Sequence, residues 1–235
     1  MHTDSRGGQS LRAIVPDDIF IGTSLILRQG ERFLYGVRPV REVAGRLILE
    51  LTGIGGGLEE EDKSLAAGVL REAQEEIGCA VRLLPCPNTL IVRSQNDVAH
   101  VVLEGDERPA AVVFRNYRTP PHQPWHENNR GPACLIVFVA ALEGQPWPTR
   151  ELPYLLWLTP EQVLATAQDD VPLSRLLSRG AELVVEDFGP PPESSWVRLT
   201  DSQEALALAL GDSTPAFYNS LDIASCHSER SEESL

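Results

Sequence analysis

The sequence predicts a mixed α/β protein, a β-sheet with helices packed on its faces. Three observations lead there. Strand-like and helix-like segments are interleaved along the chain instead of being segregated into halves. The 235 residues, 42% of them hydrophobic, are enough for one sizeable core, or one core with a small appendage. No apolar run approaches the roughly 20 residues that cross a bilayer as a helix, so the hydrophobic residues belong to an interior.

The elements follow in order. Residues 1–17 are polar and glycine-bearing and read as a loose lead-in. Ile19 to Leu27, IFIGTSLIL, reads as a buried strand. Gln29-Gly30-Glu31 turns the chain into a second strand from Arg32 to Val37, making a hairpin. Leu47 to Leu51 is a short apolar segment that leads into Gly53-Ile54-Gly55-Gly56-Gly57. An acidic stretch follows from Glu59 to Asp62, then a helix from about Ser64 to Ile77, with Gly78 placed to stop it. Strand-like segments recur at Arg82–Val92, Val98–Leu103, Ala110–Tyr117 and Ala133–Ala141. Between the last two, Thr119 to Pro132 is rich in proline, asparagine and histidine and reads as a long loop. Leu155 to Leu158 is a short strand. Thr159 caps a helix with Pro160 at its first position, running through Ala167. Strands at Glu182–Val185 and Trp196–Leu199 and a helix at Ser202–Leu210 complete the ordered part. The charge-dense CHSERSEESL end is expected to be disordered. The organisation is thus a lead (1–17), one domain with a C-terminal extension (18–212) and a tail (213–235).

Composition narrows the function classes. The net charge of -14 argues against broad nucleic-acid binding, which needs a basic face to displace counterions. A small phosphorylated ligand is still compatible, because a bound metal ion inverts the local charge. The N-terminus has no basic region followed by an apolar stretch, so the expectation is a cytoplasmic protein with no membrane partner. Cys79, Cys86, Cys134 and Cys226 show no C-x-x-C spacing and read as reduced thiols.

The chemistry concentrates in 57–79, GLEEEDKSLAAGVLREAQEEIGC. On a helix of about 100° per residue, Ala66, Leu70, Ala73 and Ile77 form one stripe, expected to face the core. Glu72, Glu75 and Glu76 fall together on another side, one turn apart, where like charges repel. A solvated acidic face is one explanation, with Arg71 offsetting part of the repulsion of Glu75. A site for hard divalent cations is the other, since such ions take carboxylate oxygens. The glycines at 53, 55, 56 and 57 shift the balance, because they let backbone come close to a ligand or metal.

This stretch resembles the Nudix box: a glycine, five residues, a glutamate, seven residues, then R-E-x-x-E-E-x-G. Gly57 matches the first position, and Arg71, Glu72, Glu75, Glu76 and Gly78 match the end with the right spacing. The hairpin before it and LLWLTPEQVL after it are also similar to the family. The resemblance implies a Nudix-like α/β/α sandwich with a mixed sheet. It also implies a pyrophosphohydrolase, an acid anhydride hydrolase, dependent on Mg2+ or Mn2+. Its substrate would be a nucleoside diphosphate linked to another moiety. By resemblance Glu75, Glu76 and the Gly56 carbonyl are metal ligands. Glu72 binds metal or acts as general base, and Arg71 orients the glutamates. Gly55 and Gly57 border the substrate. Lys63 is a departure, standing where the family carries its first glutamate. It motivates a second reading, a catalytically weak Nudix-like nucleotide-binding or regulatory module. Glu59, Glu60, Glu61 and Asp62 are neighbouring acids that could compensate.

Outside the box, Glu104, Asp106 and Glu127 are candidates for a further base or ligand. His122, His126 and Glu127 read first as a polar loop, and Trp125 and Tyr117 as loop or core anchors. No second motif names a substrate. The proline expected about 15–17 residues past the box in many ADP-ribose hydrolases has no counterpart, since 91–97 reads IVRSQND. Oligomeric state stays open, a homodimer being common in the family.

Overall fold

Gly30 turns β1 (Phe20–Gln29) into β2 (Arg32–Val37), and the two pair antiparallel only at their turn end, Leu27 with Leu34 through Gln29 with Arg32. The computed structural model in which this is seen describes residues 10–16, 19–94, 97–105, 108–117, 131–185 and 189–199. Beyond Leu34 the two strands part. The far edge of β2 is taken from Phe33 to Val37 by β10 (Tyr154–Leu158). Its near edge, given first to β1, passes at Gly36 and Val37 to β4 (Arg46–Thr52). The sheet therefore forks between β1 and β4, and this fork is where the glycine-rich segment lies.

On its other side β1 runs parallel to β9 (Gly131–Leu142) from Phe20 to Leu27. β9 then pairs antiparallel with β8 (Ala111–Tyr117) and with β5 (Val81–Leu84). Beyond β8 come β6 (Thr89–Ser94) and β7 (Asp97–Val101). The other flank is completed by β3 (Arg41–Val43), β11 (Val171–Pro172), β12 (Glu182–Val185) and β13 (Trp196–Leu199). The result is a mixed sheet with helices on both faces.

Alternation along the strands sorts side chains between the faces. On one face Leu25, Leu27, Leu34, Leu155 and Trp157 pack with Val69, Ala73 and Ile77 of α1 (Leu65–Ile77). On the other, Ile26, Tyr35, Leu156 and Leu158 pack with Val163 of α2 (Pro160–Gln168) and with Leu173 and Leu176 of α3 (Leu173–Ser178). Each large aliphatic side chain removed from water in this way contributes about 1.5–3 kcal/mol. Among the described residues no helix is long and apolar enough to cross a membrane.

The mixed α/β class stands as the sequence predicts, with several local differences. The apolar stripe of α1 is Val69, Ala73 and Ile77, while Leu70 is 38% exposed. Ala73 and Ile77 face the core as expected, Val69 does so in place of Leu70, and Glu76, expected away from the core, is buried beside them. The single strand expected over Arg82–Val92 is two strands, because Pro85 and Pro87 lack the N–H groups a continuous ladder needs. Leu47–Leu51 is the centre of β4, folded back on β3 about Ala44 and Gly45. Helix α3 had no apolar period long enough to announce it. Within the expected lead-in, Leu11–Ala13 forms one 3-10 turn and Val15 is buried. The expected helix at 202–210, the tail from 213 and the loop residues 119–130 lie outside the described residues.

The ends of α1 and α2 follow their sequence signals. The Ser64 hydroxyl accepts from Ala67 N at 3.1 Å, and Gly78 ends the helix in the left-handed region. Thr159 and Gln162 form a reciprocal capping box, with Gln162 Oε1 accepting from Thr159 N at 2.9 Å. Thr159→Ala is therefore expected to cost about 1 kcal/mol, read as a lower urea midpoint with an unchanged slope. An unchanged midpoint would show that the box adds nothing to α2.

Candidate active site

The backbone of β1 would be left unpaired where β2 departs, and buried N–H groups do not stay unpaired. The segment after β4 fills the gap. Leu25 N donates to Ile54 O at 2.7 Å and Thr23 N to Gly56 O at 2.8 Å, with Gly22 bridged to Gly57. Only glycine suits position 55. Its φ is +146°, and a Cβ there would overlap the Thr23 carbonyl and stand 2.7 Å from Ser24 Cα.

Helix α1 lies against this loop through its polar side. Gly55 N donates to Glu76 Oε2 at 2.7 Å. The Glu72 carboxylate rests on Gly56 so closely that a Cβ there would stand 2.6 Å from Glu72 Cδ. Arg71 joins the parts. Its guanidinium donates to Gly57 O at 3.2 Å and grips Asp62 with two nitrogens, Nη2 to Oδ2 at 3.0 Å and Nε to Oδ1 at 3.3 Å. It also donates to Glu72 at 3.1 Å and Glu75 at 2.9 Å, and lies 3.6 Å from Glu59.

The electrostatics follow from burial. Glu76 is 5% exposed, and loss of water pushes its carboxyl up to about 8. The Gly55 N–H pulls the other way. Glu151 and Glu72 add repulsion, and Arg38 offsets some of it. Glu72 is also raised, first by burial and then by Glu75 and Glu151, with Arg71 opposing. Asp62 is held below the usual carboxylate range by its bonds from Arg71 and then by Glu59 N. Arg71 is held more firmly charged, chiefly by Asp62.

The structure thus brings Gly55, Gly56, Gly57, Arg71, Glu72 and Glu76 together, with Glu75 at the exposed end of the Arg71 fan. Two details were not foreseen. The Gly56 carbonyl accepts from both Thr23 N and Thr23 Oγ1, the latter at 3.3 Å, which engages both its lone pairs. Among the described residues, no three His, Cys, Asp or Glu side chains are already gathered as ligands of one ion. Arg71 draws Glu72 and Glu75, and Gly55 draws Glu76. The donor chemistry nevertheless suits a hard cation: the set is all oxygen, and two of its carboxyls are raised by burial and mutual repulsion, a condition that a bound cation relieves.

Lys63 is exposed, and the anion gripped by Arg71 is its neighbour Asp62. Glu151 went unnoticed in the sequence. It stands in a turn closed by Thr149 N donating to Leu152 O at 3.0 Å. That turn is fastened to the end of α1, where helix carbonyls lack partners. Thr149 Oγ1 donates to Glu76 O at 2.9 Å and Trp147 N to Ile77 O at 2.9 Å. Nothing in the local sequence marks Glu151, because the contact spans some seventy residues. Glu104 lies just past β7, the edge strand, four strands from β1 along the sheet. Asp106, His122, Trp125, His126 and Glu127, and the side chain of Tyr117, lie outside what is described.

No protein-family model matches the chain, and no curated protein is similar to it. Solved structures similar to it include Nudix hydrolases. A possible asymmetric diadenosine tetraphosphate hydrolase from Jonesia denitrificans is 15% identical, with a TM-score of 0.47 over 86% of this chain and 96% of that one. A MutT Nudix hydrolase from Burkholderia pseudomallei is 15% identical, with a TM-score of 0.41 over 82% and 97%. A Nudix hydrolase from Nitrosomonas europaea is 14% identical, with a TM-score of 0.41 over 75% and 99%.

Burial of Glu76 predicts a pH effect. With a chelator present, the folded protein keeps this proton up to about pH 8, whereas the unfolded chain releases it near 4.5. The folded state holds the extra proton between these values, so stability falls as pH rises through that window. Glu76→Gln keeps an acceptor for Gly55 N. It should remove most of the loss, on the order of 4 kcal/mol at the alkaline end. Urea unfolding at both ends of the window measures this, and a slope that survives the substitution would assign it to other groups.

Proposed function

We propose that this chain is a Nudix-type pyrophosphohydrolase that cleaves a phosphoanhydride bond in a nucleoside diphosphate linked to another moiety, with Mg2+ or Mn2+ as cofactor. The observation that carries the reading is the attachment of the motif's carboxylates to the glycine loop: Gly55 N on Glu76, Glu72 on bare Gly56, and Arg71 on the Gly57 carbonyl. A solvated acidic face gives no reason for a buried glutamate beside a glycine that lacks room for a Cβ.

In this reading Glu72, Glu75 and Glu76 hold the cation. The Gly56 carbonyl joins them only by releasing the longer of its two Thr23 bonds. A cation held there draws charge from phosphate oxygens and lowers the pKa of its water. The chain's own groups do the rest. The backbone of Gly55 to Gly57 borders the diphosphate. Arg71, anchored on Asp62, keeps Glu72 and Glu75 on the loop side of α1. Glu72, on the loop side of α1 beside Gly56, accepts the proton of the attacking water. The water oxygen bonds to phosphorus as the bridging P–O bond breaks, and the leaving phosphate takes the electron pair. Glu151 is the candidate for the carboxylate contributed from outside the motif. The working unit is residues 18–212, acting on a small nucleotide.

A catalytically weak binding module is the second reading, favoured by Arg71 occupying Glu72 and Glu75. Incubation with nucleotide sugars, dinucleoside polyphosphates, ADP-ribose and nucleoside triphosphates, with Mg2+ or Mn2+, separates the two. Cleavage of one class supports the enzyme, and binding without turnover supports the module. With a substrate in hand, Glu75→Gln should lower kcat about 100-fold or more. Gly56→Ala, which displaces the Glu72 carboxylate, should lower it about tenfold or more while unfolding stays cooperative. Wild-type rates in both would remove these residues from the site.

The Asp62–Arg71 grip gives a further prediction. Asp62→Asn should lower kcat and loosen manganese binding, whereas Lys63→Glu should change both by less than about threefold, because Arg71 is already paired. A large gain on Lys63→Glu would show that position 63, not 62, serves the cation site.

A further inference from the structure

Phe20 opens β1 and is 48% exposed. A single exposed apolar side chain is ordinary, and what sets Phe20 apart is where its ring lies. A Cβ on Gly57 would stand 3.5 Å from its Cζ and 3.7 Å from its Cε2, and a Cβ on Gly22 would stand 3.6 Å from its Cε1. The outer atoms of the ring therefore lie beside two glycines bridged to each other. Gly56, on which Glu72 rests, is the next residue along. About half of the residue stays exposed at this place, beside the glycine loop. Stacking on such a ring needs no charge, so the chain's net charge of -14 does not oppose it as it opposes free phosphate.

We infer that Phe20 is a stacking platform for the aromatic base of a nucleotide whose diphosphate lies along Gly55 to Gly57. This rests on the diphosphate reading above and adds to it a residue that senses the base. Trp147, the other half-exposed large aromatic among the described residues, donates its backbone N–H to Ile77 O at the end of α1, whereas the ring atoms of Phe20 lie beside Gly57 and Gly22.

The test uses two non-hydrolysable probes that differ by an adenosine, α,β-methylene-ADP and methylenediphosphonate, titrated with Mn2+ into the whole chain and its variants by calorimetry. Phe20→Ala should weaken α,β-methylene-ADP about tenfold and leave methylenediphosphonate unchanged. Phe20→Trp should restore the affinity, and Phe20→Leu, apolar but without a π face, should not. Three results would overturn the inference: an alanine variant within about twofold of wild type, full rescue by leucine, or equal losses for both probes. If the unaltered protein binds methylenediphosphonate but gains nothing from the adenosine, the diphosphate reading stands and the platform falls. If it binds neither probe, both fall together.

Discussion

A hydrogen bond from the main chain of Gly55 to a buried carboxylate ties the two halves of the site together. Burying Glu76 is costly, and that cost is tolerable only because the sheet has an opening to fill. Where β2 leaves β1 for β4, the edge of β1 must find other partners. The segment Ile54 to Gly57 supplies them, and in doing so turns the Gly55 N–H toward α1. The fork, the glycines and the buried acid are one arrangement. Gly55 also has a φ and a clearance that no other residue meets. These constraints are structural before they are chemical, and the proposed chemistry borrows them.

Arg71 has a similar double character. It spans the loop carbonyl, the acidic turn and two helix carboxylates, which no lysine could do with one ammonium. Its strongest grip is on Asp62, so the helix and the turn before it are held as one body. Glu75, more than half exposed, is held weakly by comparison, since ion pairs in water contribute little. The member of the acidic set that can most readily change partners is therefore the outermost one.

Much of the fold was legible because its signals are local. The first hairpin, both long helices with their caps, and the later strands depend on residues within a turn or a strand of one another. What escaped depends on distant partners. In α1 the expectation held at Ala73 and Ile77 and failed at Leu70 and Glu76, the latter buried by a bond to Gly55, which periodicity ignores. Glu151 carries no signal because the turn that presents it is fastened to α1 from some seventy residues away. Spacing alone singled out Arg71, Glu72 and Glu76, which the fold brings together, but the contacts of Asp62 and Thr23 were hidden. A neighbour at the wrong position in a pattern can still be at the right position in space.

The shared edge of β2 also ranks how parts of the molecule open. That strand is tied to β1, β4 and β10, so its amides can exchange only when much of the sheet comes apart. The strip from Ile54 to Gly57 is held both to β1 by main-chain bonds and to α1 through Glu76 and Arg71, so it is the joint between sheet and helix. A joint of this kind couples the glycine loop to the helix, so that what moves one moves the other.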